Sequence, residues 1–362
     1  ESLSRVAIKE NKIFFLDIFR HLREKFYTSN GNFAMTLRRD LLLRSALLAS
    51  AGFFAAPARA DTAWNPDRAL RIIVPVAPGG SLDILGRLLA KHLTEALGQN
   101  VVTENKPGAG SNIAFELVAR AAPDGHTIGS ANIGTLAVNP ALVRNMGFDP
   151  MTDLMPISTI FNAVNVLVCP ANRPFNSVAD IIAAAKARPE TISYGTGGVG
   201  SPGHLCGILF DHIAGTRTVP VPYRGGGPQM LALVAGEHDF GFSPMGTVLT
   251  HVQAGTIRAL GVATKTRARE LPNVPSMIEA GLPNFEVLNW DGFVVPAGTP
   301  APIRARLGEV IRAALSDPSV VADFQRRGLE AWPSTEAAFA AQLAADAAKW
   351  QPLIRGAGIE PS

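Results

Sequence analysis

Two glycine-rich segments, Pro78-Gly-Gly-Ser81 and Gly195-Thr-Gly-Gly-Val-Gly200, each follow a strand-like run and precede a helix-like one. A loop without Cβ atoms lets backbone N–H groups approach a ligand closely, and the N-terminus of the next helix adds partial positive charge. Each loop is therefore suited to hold an anion, and a carboxylate fits this chemistry. Glycines also make tight strand-to-helix turns without any ligand, so one loop alone does not distinguish the two roles.

The two loops belong to an internal repeat. In each repeated pair, a strand-like segment ends in a glycine-rich turn. The matching pairs are residues 71–90 with 191–204, residues 101–110 with 218–227, and residues 126–135 with 238–247. Two βαβαβ halves place such turns at the carboxyl ends of their strands, where open α/β sheets bind ligands. Two edges of this kind that face each other would form a cleft.

The order of strand-like and helix-like segments predicts an α/β fold with two lobes and a cleft between them. From Leu70 to about Ile160 the alternation indicates a mainly parallel sheet, and a second unit begins at Asn165. Residues 302–315 and 335–354 show apolar residues at helical spacing and have no strands of their own, so we expect them to cover the first lobe. The expected divisions are 61–164 plus 285–362 for lobe 1 and 165–284 for lobe 2, with a hinge near 164–168 and 285–295.

Residues 35–60 have the pattern of an export signal. Its parts are a basic region with Arg38, Arg39 and Arg44, an apolar run over residues 45–56, and the small-x-small cleavage site Ala58-Arg-Ala60. The apolar run is too short to span a bilayer. We therefore expect a periplasmic protein that begins near Asp61, with residues 1–34 as an upstream extension outside the mature chain. The general and the twin-arginine export routes both stay open.

The charge balance argues against a nucleic-acid partner. Residues 1–60 hold ten of the 33 Lys and Arg residues but only five of the 30 Asp and Glu residues, so the rest of the chain has a formal charge of −2 instead of +3. The basic excess thus belongs to the leader and not to the exported domain.

The segment Gly195-Thr-Gly-Gly-Val-Gly200 is a literal G-x-G-x-x-G after a strand. A dinucleotide site would add an acidic residue at the end of the next strand, and residues 216–224 contain none. The sequence also has no phosphate-binding P-loop, no G-x-S-x-G elbow and no H-E-x-x-H pair. The histidines beyond residue 60 are scattered, and most of them are expected at the surface or in caps; they are His92, His126, His204, His212, His238 and His251. We therefore expect no cofactor and no metal.

Several single residues allow two interpretations. Asp83 could bind a ligand's ammonium group, but at the first turn of a helix it also complements the helix dipole, and we favour that structural role. Arg224 could pair with an acid or only flank a turn, and Tyr223 and Trp290 could stack on a ligand or pack in the core or rim. Two cysteines, Cys169 and Cys206, are expected as buried thiols and not as a disulfide.

From about Trp64 to Pro361 the chain resembles the Bug-type (TctC-like) solute receptors of tripartite tricarboxylate transporters. The resemblance implies a two-lobed periplasmic binding protein of the Venus-flytrap type that captures a small carboxylate and delivers it to a membrane permease. It rests on Ile72-Ile-Val-Pro-Val-Ala-Pro-Gly-Gly-Ser-Leu-Asp83, Glu104-Asn-Lys-Pro-Gly-Ala-Gly110, Ala122-Pro-Asp-Gly125, Val221-Pro-Tyr-Arg-Gly225, Leu271-Pro-Asn-Val-Pro275, Glu279-Ala-Gly-Leu-Pro283 and Pro296-Ala-Gly-Thr-Pro300.

The chain departs from the family pattern at two places. Many members have an acidic residue where this chain reads Phe242-Ser-Pro-Met-Gly246, which weakens the case for an amino-acid ligand. The Ser/Asn-rich loop of the second lobe is glycine-rich here, so its side-chain hydrogen bonds depend on Thr196 and Ser201.

These observations predict that the protein is a monomeric, non-enzymatic receptor for a di- or tricarboxylate or an aromatic acid. Two alternatives remain: an exported nicotinamide-dependent or hydrolytic enzyme that uses the same loops, and a receptor that serves a sensor kinase instead of a permease. The expected ligand contacts are Pro78, Gly79, Gly80, Ser81, Asp83, Asn132, Thr135, Thr196, Gly197, Gly198, Ser201, His204, Tyr223, Arg224, Gly225 and Ser243.

Overall fold

The computed structural model of the chain describes residues 64–78, 81–359 and 361. The predicted upstream extension and signal peptide lie outside the described residues. The strands are β1 (Leu70–Val74), β2 (Val101–Asn105), β3 (Thr127–Asn132), β4 (Leu154–Ala163), β5 (Asn165–Pro170), β6 (Ser193–Thr196), β7 (Val219–Pro222), β8 (Phe240–Pro244), β9 (Ile257–Val262), β10 (Trp290–Pro296) and β11 (Leu329–Ala331).

The helices alternate with these strands. They are α1 (Ser81–Leu97), α2 (Asn112–Ala119), α3 (Asn139–Leu142), α4 (Val178–Ala187), α5 (Pro202–Ala214), α6 (Gly226–Ala235), α7 (Met245–Gln253), α8 (Ala301–Ser316), α9 (Pro318–Arg326) and α10 (Glu336–Gly356). One turn of π-helix, Gly134–Val138, leads directly into α3.

Side-chain caps and prolines set several helix starts. Ser177 accepts the backbone N–H of Asp180 at the start of α4, and Thr335 accepts that of Ala338 at the start of α10. Pro302 occupies the first turn of α8, where its missing N–H costs no hydrogen bond. The predicted helices over 302–315 and 335–354 are thus confirmed as α8 and α10.

The strands form two sheets that repeat one arrangement. The first sheet has the order β11-β4-β10-β3-β1-β2, and the second has the order β7-β6-β8-β5-β9. In the first, β2, β1 and β3 are parallel neighbours, and in the second β7, β6 and β8 are. The repeat read from the sequence therefore corresponds to two equivalent sets of three parallel strands.

The prediction of a mainly parallel sheet is wrong in one respect. The antiparallel strand β10 lies between β3 and β4, so these two run in the same direction but do not pair. The antiparallel strand β5 lies in the same way between β8 and β9. Each inserted strand is the first one after the chain has crossed from the other sheet. The sequence order hides this exchange because β10 follows β3 only after the whole second sheet.

The two crossings lie side by side and are hydrogen-bonded to each other. The Ala163 N–H donates to Asn289 O at 2.9 Å, and the Ala263 N–H donates to Asn165 O at 2.8 Å. The Val287 N–H in turn donates to Ala263 O at 3.1 Å. These contacts join residues 163–165 to residues 263 and 287–289.

Helices cover both faces of each sheet. α1 and α8 pack on one face of the first sheet, where Leu89, Leu93 and Leu307 are buried. The opposite face, with α2 and α10, belongs to a core that continues to α4 and α5 beside the second sheet. In it Trp290 and Phe339 meet edge-to-face with ring centroids 5.1 Å apart, an arrangement worth about 0.5–1.5 kcal/mol beyond area burial. Trp290 is fully buried, so it is a core residue and does not stack on a ligand.

Candidate functional site

The carboxyl ends of the parallel strands in the two sheets approach each other. A Cβ atom added at Gly134, just after β3, would lie 3.4 Å from the carbonyl oxygen of Gly200, in the loop after β6. A Cβ atom added at Gly200 would meet Leu142 of α3 at 2.8 Å. The second glycine-rich loop therefore lies against the segment that follows β3. The two edges form the cleft that the repeat predicts.

The loop between β6 and α5 is held in one conformation by its own side chains. The Thr196 hydroxyl accepts the Gly198 N–H at 3.2 Å, and the Ser201 hydroxyl caps α5 by accepting the His204 N–H at 3.3 Å. Gly198 and Gly200 have φ angles of 120° and 77°, a region that glycine enters without strain. Both hydroxyls named from the sequence thus shape the loop that would hold a ligand.

His204 has a defined structural task in this loop. Its Nδ1 accepts the Gly200 N–H at 3.1 Å, which requires a neutral ring with the proton on Nε2. Burial lowers the pKa of His204 to about 4, so the ring stays neutral at ordinary pH. His204 therefore fixes the loop and carries no charge to a ligand.

The loop after β7 lies beside the second glycine-rich loop. A Cβ atom added at Gly197 would meet Gly225 and Gly226 backbone atoms at 3.5 Å. Tyr223 is half-buried, with its hydroxyl donating to Glu237 Oε2 at 3.3 Å, and Arg224 is exposed. Gly225 precedes α6 with a φ of 103°. The Ser243 hydroxyl is buried and donates to Gln229 Oε1 at 2.9 Å, so it is used inside the second lobe in this structure.

The first glycine-rich loop is described only in part. Pro78 is exposed, Gly79 and Gly80 lie outside the described residues, and the same holds for the Ser81 side chain. Asp83 is buried in the first turn of α1, 2.9 Å from the Arg87 guanidinium, and it accepts a 2.9 Å hydrogen bond from Asn105. The hydrogen bond to Asn105 ties α1 to β2.

The turn after β3 is closed by a single amide. Asn132 Oδ1 accepts the Thr135 N–H at 3.0 Å and the Thr135 hydroxyl at 3.2 Å, and Thr135 is buried. Asn132 is partly exposed, so its remaining polar atoms lie at the cleft edge of the sheet. Of this pair, Asn132 is the residue with an accessible polar side chain.

A cavity of about 260 Å³ opens between the two sheets beside these turns. Its lining includes Leu82 and Leu85 of α1, Gly246 and Thr247 of α7, Arg327, and Asp291 of β10. Asp291 is absent from the residues that the sequence predicted. A single carboxylate inside the otherwise apolar run Trp290-Asp-Gly-Phe-Val-Val295 was the available signal.

Two larger depressions lie elsewhere. One of about 610 Å³ is lined by charged residues that include Lys265, Glu286, Asp346 and Lys349. One of about 630 Å³ lies between α5 and the end of α10. Among the described residues, none of the three cavities is lined by a glycine of the loops after β6 or β7.

Most histidines are expected at the surface or in caps, and three of those that the structure describes are buried. His126, His204 and His238 are buried. His238 lies with its Nδ1 2.9 Å from Phe240 O and its Nε2 3.3 Å from Gln229 O, and burial lowers its pKa. The sequence next to a strand does not indicate whether a lone histidine is buried, because its burial depends on the helix that packs over it.

Other expectations concern thiols, metals and membrane spans. Cys169 and Cys206 are buried free thiols, as predicted. In the part of the chain that the structure describes, no group of three or more His, Cys, Asp or Glu side chains is arranged to hold a metal ion. Across the same residues, no helix combines the length and apolar character needed to cross a membrane.

Two lobes with exchanged strands, in which the glycine-rich turn after β6 faces the end of β3 across a cleft, define a periplasmic binding protein fold. The sequence model of the tripartite tricarboxylate transporter family receptor, TctC, matches residues 85–359. The chain is 34% identical over 327 residues to the protein BugT of Bordetella pertussis, which covers 90% of this chain and 99% of BugT. The chain therefore belongs to the TctC family of solute-binding receptors.

Solved structures agree with this assignment. The Rhodopseudomonas palustris protein Rpa4515 with adipate is 34% identical and superposes with a TM-score of 0.73, covering 82% of this chain and 99% of that one. MatC from the same organism with bound malate is 28% identical with a TM-score of 0.70, covering 80% and 99%. The periplasmic binding protein BugD is 31% identical with a TM-score of 0.70, covering 82% and 100%.

Proposed function

We propose that this protein is a monomeric extracytoplasmic receptor that closes on a small carboxylate and delivers it to the permease of a tripartite tricarboxylate transporter. The observation that carries the proposal is the approach of the Gly200 loop to the segment after β3. It brings the glycine-containing segments after β3 and β6 to one cleft, and the loop after β6 leads into the N-terminus of α5. The adipate and malate bound in the two relatives support a carboxylate as the ligand.

In this function the protein binds and releases its ligand without changing it. The proposed lobes are residues 61–164 plus 285–362 and residues 165–284, which rotate about the crossings at 163–165 and 287–289. Backbone N–H groups of residues 79–81 and of Gly197 hold the carboxylate, because the Gly198 N–H is already bonded to the Thr196 hydroxyl. The side chains of Thr196, Ser201 and His204 hold the second loop in one conformation.

A thermal-shift screen tests the ligand class. We expect one or more small di- or tricarboxylates or aromatic acids to raise the melting temperature, because a ligand at a hundredfold excess over its Kd stabilises the folded state by about 2.7 kcal/mol. Sugars and uncharged amides of similar size serve as controls. A panel in which only the controls shift the melt would contradict the proposal, and product analysis by mass spectrometry would reveal any turnover.

Export predicts a mature N-terminus at or near Asp61. The expression host should remove residues 1–60, because the small-x-small site ends at Ala60. Intact-mass measurement of the periplasmic fraction checks this result. A periplasmic product that retains residues 1–34 would show that the leader is interpreted wrongly.

A further inference from the structure

Asp291 lies on the cleft side of the first sheet. Successive residues of a strand point to opposite faces, and its neighbour Trp290 points to α10, where its indole N–H donates to Asp346 Oδ2 at 2.7 Å. Asp291 therefore points to the face that α1 covers, and it lines the cavity together with Leu82 and Leu85. In the strand register it lies opposite Asn132, at the end of β3.

Asp291 differs from the other buried aspartates that the structure describes. Asp83 is held by Arg87 and Asn105, and Asp346 accepts hydrogen bonds from Trp290 and Gln342. Asp291 is only 4% exposed, and its Oδ1 has no hydrogen-bond partner. A buried polar group without a partner costs free energy, which a ligand that supplies the partner recovers.

The cavity around Asp291 favours a negatively charged group. Gly246 and Thr247 belong to the first turn of α7, and Leu82 belongs to the first turn of α1, so two helix N-termini with partial positive charge border the space. Arg327 lines the same cavity, with its Nε 2.9 Å from Asp323 Oδ2. An ionised Asp291 would oppose such a group, whereas a protonated one would donate a hydrogen bond to it.

The cavity lies next to the end of β3 at the cleft. Asn132 lies across from Asp291 in the register of β3 and β10, and Leu82 of α1 lines the cavity. With a volume of about 260 Å³ the cavity suits the second half of a small ligand better than a whole drug-sized one.

We propose that Asp291, in its protonated form, donates a hydrogen bond to the second carboxylate of a dicarboxylate ligand, the one distal to the glycine-rich loops. The assignment rests on the proposed function as a carboxylate receptor. The proton stays on Asp291, and no covalent bond changes. The residue thereby selects against monocarboxylates, which leave it without a partner.

The electrostatic surroundings agree with a protonated Asp291. Burial in the cavity raises its pKa well above the ordinary value. β3, β4 and β8 have no charged residue, and Arg327 is the only other charged side chain along the described part of the cavity lining. The surrounding elements carry further charged or titratable residues. On the face to which Asp291 points they are Asp83, Arg87, Lys91, His92 and Glu95 on α1, His251 on α7, Arg304, Arg306, Glu309 and Arg312 on α8, Asp323 and Arg326 on α9, and Glu330 on β11. Against the opposite face of β10 they are Glu116 on α2 and Glu336, Asp346, Lys349 and Arg355 on α10.

Calorimetric titration of matched acids tests the assignment. The probes are succinate, butyrate and 4-aminobutyrate, and the longer series adipate, hexanoate and 6-aminohexanoate. We expect one diacid to bind at least about tenfold more tightly than the monoacid and the amino acid of its series. Its affinity should fall by up to about tenfold per pH unit once the pH exceeds the pKa of Asp291 in the free protein.

Two variants distinguish the hydrogen bond that Asp291 donates from the negative charge that it gains on deprotonation. In Asp291→Asn the amide N–H keeps the donor without a titrating group, so diacid affinity should stay within about threefold of the wild-type value at low pH and should not fall at high pH. Asp291→Leu keeps the approximate size without a donor, so its preference for the diacid should disappear.

The ligand-free proteins give an independent readout. A raised pKa means that Asp291 favours the folded state fully below the pKa of the unfolded chain and loses this contribution as pH rises through the folded pKa. Wild-type stability should thus fall relative to Asp291→Asn over that range. Identical pH profiles for the two proteins, or tighter wild-type binding of the amino acids, would overturn the assignment. If diacids bind and all variants retain the preference, only the role of Asp291 fails. If no acid binds, the proposed function fails as well.

Discussion

Gly197→Ala should weaken carboxylate binding by roughly 10- to 150-fold while leaving the fold intact, because a hydrogen bond to a charged group contributes about 1.5–3 kcal/mol. A Cβ at this position would meet the neighbouring loop only at 3.5 Å, an ordinary contact. The backbone can therefore accept alanine. The added methyl group would instead occupy the space through which a ligand approaches the loop N–H groups.

The same titration distinguishes a carboxylate held by backbone N–H groups from one held by the guanidinium of Arg224. Arg224 is exposed beside the loop, and Arg224→Ala should retain most of the affinity if backbone N–H groups hold the carboxylate. Gly356→Ala, at the end of α10 with no atom within 4 Å of the added Cβ, is the matched control. Circular dichroism first checks that each variant is folded, and calorimetric titration then measures its affinity for the carboxylate. Normal binding by Gly197→Ala together with no binding by Arg224→Ala would assign the site to Arg224.

Gly246→Ala should separate the two sheets at their contact beside α7. A Cβ atom there would lie 2.2 Å from the Arg327 carbonyl oxygen, and both groups belong to the main chain. No side-chain rotation can relieve this clash, so the α7 segment and the turn before β11 must move apart. Overpacking of this kind costs about 1–3 kcal/mol, which corresponds to a loss of ligand affinity of roughly 5- to 150-fold.

Small-angle X-ray scattering with saturating ligand is the decisive measurement for Gly246→Ala. The variant should keep a larger radius of gyration than the wild type, and Gly356→Ala should behave like the wild type. An unchanged radius of gyration and unchanged affinity would mean that the contact between Gly246 and Arg327 is not needed when the cleft closes.

Local patterns in the sequence predict the parts of the site that depend on local geometry. The glycine turn after β6 follows from residue type, because only glycine adopts the φ of 120° at Gly198 without strain. The helices near residues 302 and 335 follow from apolar spacing and the residues at their first turns. These features need no knowledge of distant contacts.

The features that the sequence could not supply all depend on distant partners. Periodicity indicates that β10 is buried but not that it lies between β3 and β4. The short strand β11 exists because it pairs with β4. Ser243 was expected to contact a ligand but donates to Gln229, and the missing partner of Asp291 becomes visible only when the opposite walls of the cavity are known.

The exchange of β5 and β10 also constrains the order in which the chain can fold during synthesis. β1, β2 and β3 leave the ribosome early, yet the neighbour that completes their sheet, β10, comes only after all strands of the second sheet. Until then the edge of β3 has no partner, and such non-local pairing forms slowly. The sheet that contains β3 therefore cannot be completed until synthesis has passed β10, which begins at Trp290.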